Sequence, residues 1–236
     1  MASASKWPKV LPPLSPEQRV ISDDFMHYWH EVLPQRFGTI EKFNHLYPVK
    51  HAPSHFARTL EIGAGRGEHL LYERLSPEQK RAYYSLEFRA NMCAAIRERF
   101  PDVRVIEGDC QQRLDFPDHF FDRILAVHVL EHLPNLPATV AEAHRLCAKD
   151  GVFSVVIPCE GSFAYTCARR ISAQRIFEKR YRQSYDWFIQ REHINLPAEI
   201  IGELEKFFSI QHTSHFPFPV PWQFCNLVIG MTCRPL

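Results

Sequence analysis

The sequence predicts an α/β fold, a doubly wound and mostly parallel sheet of about seven strands with helical segments capping one edge. Three observations carry this. Short apolar runs alternate with helical stretches from Arg58 to Ile157. The runs are almost continuously apolar, as strands are when helices cover both sheet faces. A glycine-rich turn follows the first run, at the edge where such sheets bind ligands.

The elements follow in order. Residues 1–16 are polar and proline-rich and read as a loose leader. Ser15-Pro16-Glu17-Gln18 is a helix start with Pro at the first helical position, opening a helix over 17–33 that carries Phe25 and Tyr28. A second short helix follows Pro34. Strands are expected at 58–62, 83–87, 103–106, 121–127 and 152–157. Helices are expected after the glycine turn to about Leu75, and at 89–100 and 137–148. Residues 159–192 break the rhythm with a helical, aromatic and basic insert. A helix over 196–208 and strands at 208–211 and 227–233 close the fold. The organisation predicted is a helical cap or lid over 1–56, a cofactor-binding core over 57–158, a substrate cap over 159–192 and a C-terminal completion of the core over 193–236.

Composition narrows the class. With 236 residues, 45% of them hydrophobic, the chain suits one α/β domain with additions. A net charge of +1 argues against general nucleic-acid binding. Seven cysteines without a Cys-x-x-Cys pair suit reduced thiols in the cytoplasm, with Cys93, Cys147 and Cys225 expected in the core. No apolar run is long enough to cross a bilayer, and the N-terminus has no signal-like apolar region.

The strongest chemical signal is Glu61-Ile62-Gly63-Ala64-Gly65-Arg66-Gly67. Its glycines permit a tight turn and close backbone approach of a ligand, and the helix expected after it would present free amides. The spacing is Gly-x-Gly-x-Gly, not the Gly-x-Gly-x-x-Gly that seats a pyrophosphate. Glu61 would repel a pyrophosphate and suits a ligand with an ammonium group. Glu87 closes the next strand about 20 residues on, where an acid accepts from ribose hydroxyls. Asp109 closes the third strand at the ligand crevice, with Cys110 beside it.

Glu61 to Leu70, Tyr84 to Glu87, Gly108-Asp109 and Phe121 to Leu133 together resemble the successive motifs of class I S-adenosylmethionine-dependent methyltransferases, whose fold is Rossmann-like. The small-molecule "type 11" branch is most similar, through Val129-Leu130-Glu131-His132. The resemblance covers about residues 57–158. It implies S-adenosyl-L-methionine as cofactor and S-adenosyl-L-homocysteine as product. It implies that Glu61, Gly63, Ala64 and Gly65 hold the methionine part and Glu87 the ribose. Phe88, Asp109 and Cys110 would meet the adenine, with Val127 and His128 bordering the sulfonium and methyl. Arg66 departs from the pattern by placing a bulky cation in the turn.

Substrate choice falls to the additions. Arg169, Arg170, Arg175, Lys179, Arg180 and Arg182 lie between apolar residues at rough helical spacing, a solvated basic face or a site for an anionic acceptor. Arg169, Arg170, Tyr165 and Tyr28 are the candidate substrate contacts. The expected reaction is methylation, at oxygen, of a small-molecule, glycan or lipid-linked acceptor. His193, where the insert rejoins the core, and His128 are the candidate bases. A homodimer is compatible. Rival readings are a binding module that kept the fold without catalysis, and an NAD(P)-dependent oxidoreductase, which the glycine spacing and Glu61 disfavour. Nucleic-acid methylation lacks an Asn-Pro-Pro-Tyr-like motif after the fourth strand. His128-Val129-Leu130-Glu131-His132 also matches His-x-x-Glu-His of zinc peptidases. That motif needs a continuous helix and a third ligand. Here it follows a strand directly and Pro134 cuts it short, so no metal is expected.

Overall fold

A computed structural model describes residues 6–31 and 38–236. The apolar runs become a seven-stranded sheet in the order β3-β2-β1-β4-β5-β7-β6. These are β1 (Thr59–Ile62), β2 (Tyr83–Glu87), β3 (Arg104–Glu107), β4 (Phe121–Val127), β5 (Cys147–Pro158), β6 (Phe208–Phe216) and β7 (Val228–Pro235). Neighbours from β3 to β5 are parallel, and β7 runs antiparallel to both β5 and β6. The order reverses between β1 and β4, which opens a crevice at their carboxyl ends.

The helices are α1 (Pro16–Glu31), α2 (Gly38–Lys50), α3 (Pro77–Arg81), α4 (Ala90–Arg99), α5 (Leu136–Leu146), α6 (Phe163–Arg169), α7 (Arg175–Tyr181), α8 (Asp186–Glu192) and α9 (Pro197–Leu204). A capping box starts α1 where the sequence predicts a helix start. The Gln18 amide donates to Ser15 Oγ at 3.1 Å and the Ser15 amide to Gln18 Oε1 at 3.0 Å. The helix expected after Pro34 falls partly outside the described residues; α2 is described from Gly38.

The two sheet faces differ in chemistry. Leu60, Ile62, Leu86, Ile124, Ala126, Phe153 and Val155 form one face, and their apolar core is shared with Leu136, Val140 and Ala143 of α5 and Ile200 and Leu204 of α9. The opposite face carries Thr59, Glu61, Tyr83, Ser85 and Arg123, all buried. Arg123 Nη1 pairs with Glu73 Oε1 at 2.7 Å, and Nη2 donates to the Pro48 carbonyl of α2 at 3.0 Å. His69 Nε2 lies 2.7 Å from the same Glu73 oxygen.

That cluster accounts for the main departure from the sequence reading. No continuous helix runs from the glycine turn to Leu75. A single 3-10 turn, His69–Leu71, stands there instead, and α3 starts afresh on a Ser76 cap. The short turn lets His69 and Glu73 both reach inward. Other corrections concern packing. Cys225 ends a 3-10 turn, Gln223–Cys225, and is only half-buried, with Sγ donating to the Trp222 carbonyl, because β7 begins three residues later than a core position there would need. The leader is tied down from residue 6 onward; residues 1–5 lie outside the described residues. Lys9 Nζ donates to the Ile194 carbonyl at 2.7 Å and to Glu199 Oε2 at 2.8 Å. Strands β5 and β6 are longer than predicted, β6 reaching Phe216 and β5 starting at Cys147.

Arg123 sets a stability prediction. Arg123→Met leaves Glu73 buried without its cation and destabilises by about 3–5 kcal/mol. Arg123→Met combined with Glu73→Leu recovers most of that loss. Equilibrium denaturation of the two variants checks both; equal losses would show that the pair is not the source.

Candidate functional site

The turn after β1 is left-handed at Gly63 and Gly65, with φ of +66° and +57°. A Cβ on Gly63 would sit 2.4 Å from Val129 Cγ2. The Gly63 and Ala64 amides donate to the Leu86 carbonyl at 2.8 and 3.0 Å, which pins the turn to the end of β2. The Gly65 amide donates to Glu87 Oε2 at 2.9 Å. The Arg89 amide and Nε each donate to Glu87 Oε1 at 3.0 Å. Both Glu87 oxygens are therefore held in place before any ligand arrives. At the next strand end, Asp109 Oδ1 accepts from the Gln111 amide at 2.9 Å and its side-chain nitrogen at 3.0 Å, closing the loop around the carboxylate. Arg66 is fixed through its backbone: its amide donates to Glu68 Oε2 at 2.8 Å and its carbonyl accepts from Arg99 at 3.0 Å.

These groups open onto a cavity of about 570 Å³ at the carboxyl edge of the sheet. Gly63, Glu87, Phe88, Asp109, Cys110 and His128 of the predicted set form its wall, as do Tyr165, Arg169 and His193. Phe88 is 72% exposed at the rim, where an aromatic face is available for stacking. Glu61, Ala64, Gly65 and Val127 lie behind that wall. Glu61 is buried and accepts from Tyr83 Oη at 2.9 Å. Burial raises its pKa to about 8, against the pull of the Tyr83 hydrogen bond, so it is largely protonated at neutral pH. Val127 packs in the cluster of Tyr47, Val156 and Val228.

The substrate candidates separate. Tyr165 and Arg169 face the cavity, whereas Arg170 and Tyr28 are not in its wall. Arg170 is exposed, and Tyr28 stacks on Phe25 at 6.1 Å with Arg180 over its ring. Arg169 Nη1 is neutralised by Glu160 Oε1 at 2.6 Å. The insert and α1 roof the cavity together. Phe25 packs against Phe177 and Phe188 at 5.0 and 5.2 Å, and Met26, Phe188 and Ile189 reach the wall. Within the 1–56 segment, α2 lies against the sheet, with Tyr47 over Gly230, while its Ile40, Glu41 and Asn44 also reach the cavity.

The polar end of the cavity is built on the turn after β4. His128 has φ +54°, uncommon for a non-glycine residue, and its amide donates to the Val156 carbonyl at 2.9 Å. His128 Nδ1 lies 3.1 Å from Glu131 Oε1. Burial disfavours the charged imidazole, but the Glu131 hydrogen bond and charge outweigh it and raise the His128 pKa. Glu131, 1% exposed, would be pushed up by burial, yet its histidine neighbours hold it ionised below the usual carboxylate range. Burial lowers the His132 pKa to about 4 despite the same carboxylate, so that ring is neutral. His193 Nδ1 lies 2.8 Å from Glu160 Oε2 and 3.5 Å from Tyr165 Oη.

The sequence reading did not single out Glu131, Glu160, Glu192 or Asn195 as site residues. Glu131 stood inside the motif weighed for zinc, and Glu160 sits just past the Pro158 that ends β5. Asn195 carried no signal, although its Nδ2 donates to the Leu130 and Leu133 carbonyls at 2.7 and 2.8 Å and so holds the His193 loop on the β4 turn.

Residues 60–155 match the family described as Methyltransferase domain. Over 126 residues the chain is 28% identical to a phosphatidylethanolamine N-methyltransferase of Cereibacter sphaeroides, covering 51% of this chain and 60% of that protein. The chain thus spans about three-fifths of that relative's length. Among solved structures it is similar to a TehB-like S-adenosylmethionine-dependent methyltransferase from Corynebacterium glutamicum, at 14% identity over 92% of this chain and 100% of that one, with a TM-score of 0.59. It is also similar to the 1,6-didemethyltoxoflavin-N1-methyltransferase of Burkholderia thailandensis, solved with 1,6-didemethyltoxoflavin and S-adenosylhomocysteine, at 18% identity, 97% and 93% coverage and a TM-score of 0.57. At these identities the structural likeness is one of fold.

Three outcomes are expected here. S-adenosylhomocysteine raises the melting temperature and NAD does not, since a ligand bound only by the native state stabilises it. Glu87→Ala weakens that ligand by about 1.5–3 kcal/mol, the worth of hydrogen bonds to a charged group, read by calorimetric titration. Glu61 gives a pH signature. The native state keeps a proton there up to a pKa of about 8, whereas 4.5 is the unperturbed value. Stability therefore falls by a few kcal/mol as pH rises between those values, and Glu61→Gln flattens the fall in denaturation midpoints across that window.

Proposed function

We propose, on the premise that residues 60–155 are a class I, S-adenosylmethionine-dependent methyltransferase domain, that the protein moves the methyl group of that cofactor onto an oxygen of a largely apolar small-molecule or lipid-linked acceptor. The observation that carries the reading is the division of one cavity into two ends. Gly63, Glu87, Asp109 and Cys110 of its wall come from the carboxyl ends of β1, β2 and β3, whereas His128, His132 and His193 come from the turn after β4 and the return of the insert. The carboxylate–glycine end suits the donor, as the family resemblance implies. The imidazole end suits an acceptor that must lose a proton.

The charge of the wall bears on the acceptor. Glu41, Glu87, Asp109, Glu131 and Glu192 face Arg89 and Arg169, an acidic surplus that suits a sulfonium and disfavours an anionic acceptor group. Arg169 is already engaged by Glu160. Met26, Ile40, Leu133, Phe188, Ile189 and Val228 supply apolar surface for the rest of the acceptor. Methyl transfer needs the acceptor atom, methyl and sulfur in line, so holding the acceptor is most of the catalysis. A hydroxyl gains further from a group that draws off its proton, and His193, oriented by Glu160, is that group. Glu160 acts by positioning the ring.

A second reading, transfer to nitrogen, is favoured by the similarity to the phosphatidylethanolamine N-methyltransferase and by the acidic surplus of the wall, which would accommodate an amine.

The acceptor class is tested with methyl-labelled cofactor offered to hydroxylated aromatic compounds and, separately, to phosphatidylethanolamine vesicles. Label in the first set alone supports oxygen transfer; label in the vesicles alone moves the assignment to nitrogen. His193→Ala lowers turnover by at least about 100-fold while S-adenosylhomocysteine affinity stays at the wild-type value. A variant that keeps full turnover per folded molecule, and only melts earlier, would make His193 a structural residue.

A further inference from the structure

We propose that Glu131, His132 and His193 hold one divalent cation at the acceptor end of the cavity. One donor atom from each lies within 4.8 Å of the other two. Three donors each about 2.1 Å from a shared ion are at most about 4.2 Å apart, so binding draws them inward by roughly half an ångström. The His-x-x-Glu-His pattern is thereby used without its peptidase geometry. Its Glu131 and His132 stand on a 3-10 turn, Leu130–His132, and not on a long helix. The third ligand, His193, comes from the return of the insert, more than 60 residues later in the chain, where no sequence spacing points to it.

Three features argue for a built site. The first is rigidity. The Ile194 and Asn195 amides donate to the Glu131 carbonyl at 2.9 and 3.0 Å, so the two ligand-bearing segments are fastened to each other beside the donors. The second is the backing of His193. Its Nδ1 faces Glu160 Oε2 at 2.8 Å, which leaves Nε2 as the ligand atom, and Glu160 is itself held by Arg169. A carboxylate behind a histidine is the usual outer support of a metal ligand. The third is an unmet need: Glu131 Oε2 is buried and has no hydrogen-bond partner among the described residues. A cation satisfies a buried carboxylate oxygen that would otherwise cost free energy.

Two imidazoles and one carboxylate select the borderline divalent ions, zinc, manganese, iron(II) or cobalt, over magnesium and calcium, which prefer all-oxygen sites. With three protein ligands, positions on the ion stay open. They face the cavity and suit an oxygen of the acceptor, a hydroxyl or two adjacent hydroxyls. With the ion bound, His193 would be a ligand and not the proton acceptor; the ion would lower the pKa of the hydroxyl, whose proton would pass to solvent, and the ring would take that proton only in the ion-free protein. This last step rests on the methyltransferase reading; the cation site does not.

The test uses the full chain, freed of any affinity tag, treated with chelator and then titrated with cobalt(II) chloride. Heat and the visible cobalt spectrum are the readouts. The wild type takes up one ion per chain. His132→Ala and His193→Ala lose it, and Glu160→Gln binds about 10- to 100-fold more weakly. S-adenosylhomocysteine-dependent melting is recorded on every variant, which separates loss of the ion from loss of the fold. For the unmodified protein, manganese(II) electron spin-echo spectra show coupling to imidazole nitrogen. Absence of uptake by the wild type, uptake unchanged in both histidine variants, or manganese without nitrogen coupling each overturns the site. A protein that binds cobalt yet ignores S-adenosylhomocysteine keeps the cation site and loses the methyltransferase reading.

Discussion

Two backbone amides, those of Ile194 and Asn195, converge on the carbonyl of Glu131, and the architecture of the carboxyl edge follows from that junction. It fastens the end of the insert to the turn after β4. A residue far along the chain thereby stands beside the first four-strand unit, and Asn195 doubles the bond through its side chain. Without it, His193 would lose its fixed relation to Glu131 and His132. The cost is a carboxylate side chain enclosed at the same point. Imidazoles on several sides make that tolerable, since a buried charge persists only where partners compensate its lost hydration.

A second enclosed charge shapes the far side of the sheet. In most doubly wound sheets both faces are apolar. Here one face holds Thr59, Glu61, Tyr83, Ser85 and Arg123, all buried. The segment after the glycine turn serves this polar face, which is why it folds into a brief 3-10 turn. The ligand-facing turn therefore takes its order less from a helix behind it than from Glu87, whose two oxygens collect the Gly65 and Arg89 amides. Rigidity at the donor end is supplied from across the crevice.

Much of this was legible in the residues. The parallel sheet showed in the alternation of apolar runs with helical stretches, because hydrophobic period is set locally. Glu87 and Asp109 could be placed at strand ends by counting from the glycines. The helix to Leu75 could not be rejected, since what ends it is the pull of Arg123, about 50 residues on and invisible to local propensity. Cys225 looked like a core residue only because its neighbours are apolar. The acceptor end was hardest. Glu192 and His193 meet His132, and Glu160 meets His193, through tertiary contacts alone, and no spacing rule spans such a separation. Tyr28 and Arg170 were proposed from residue type; the chain positions that decide which way they face are set by the packing of α1 on the insert.

That packing has a consequence of its own. Phe25 and Ile21 of α1 join Phe177, Tyr185 and Phe188 in an aromatic cluster separate from the main core. The two segments are also clasped outside it, where Arg180 and Tyr181 both reach Asp24. The roof of the cavity thus has an interior that does not depend on the sheet. A unit with its own cooperative contacts can open and reclose without melting what lies beneath it. On that footing, amide exchange in α1 and the insert is expected to outpace exchange in the strands, and access to the cavity to follow the local equilibrium of its roof.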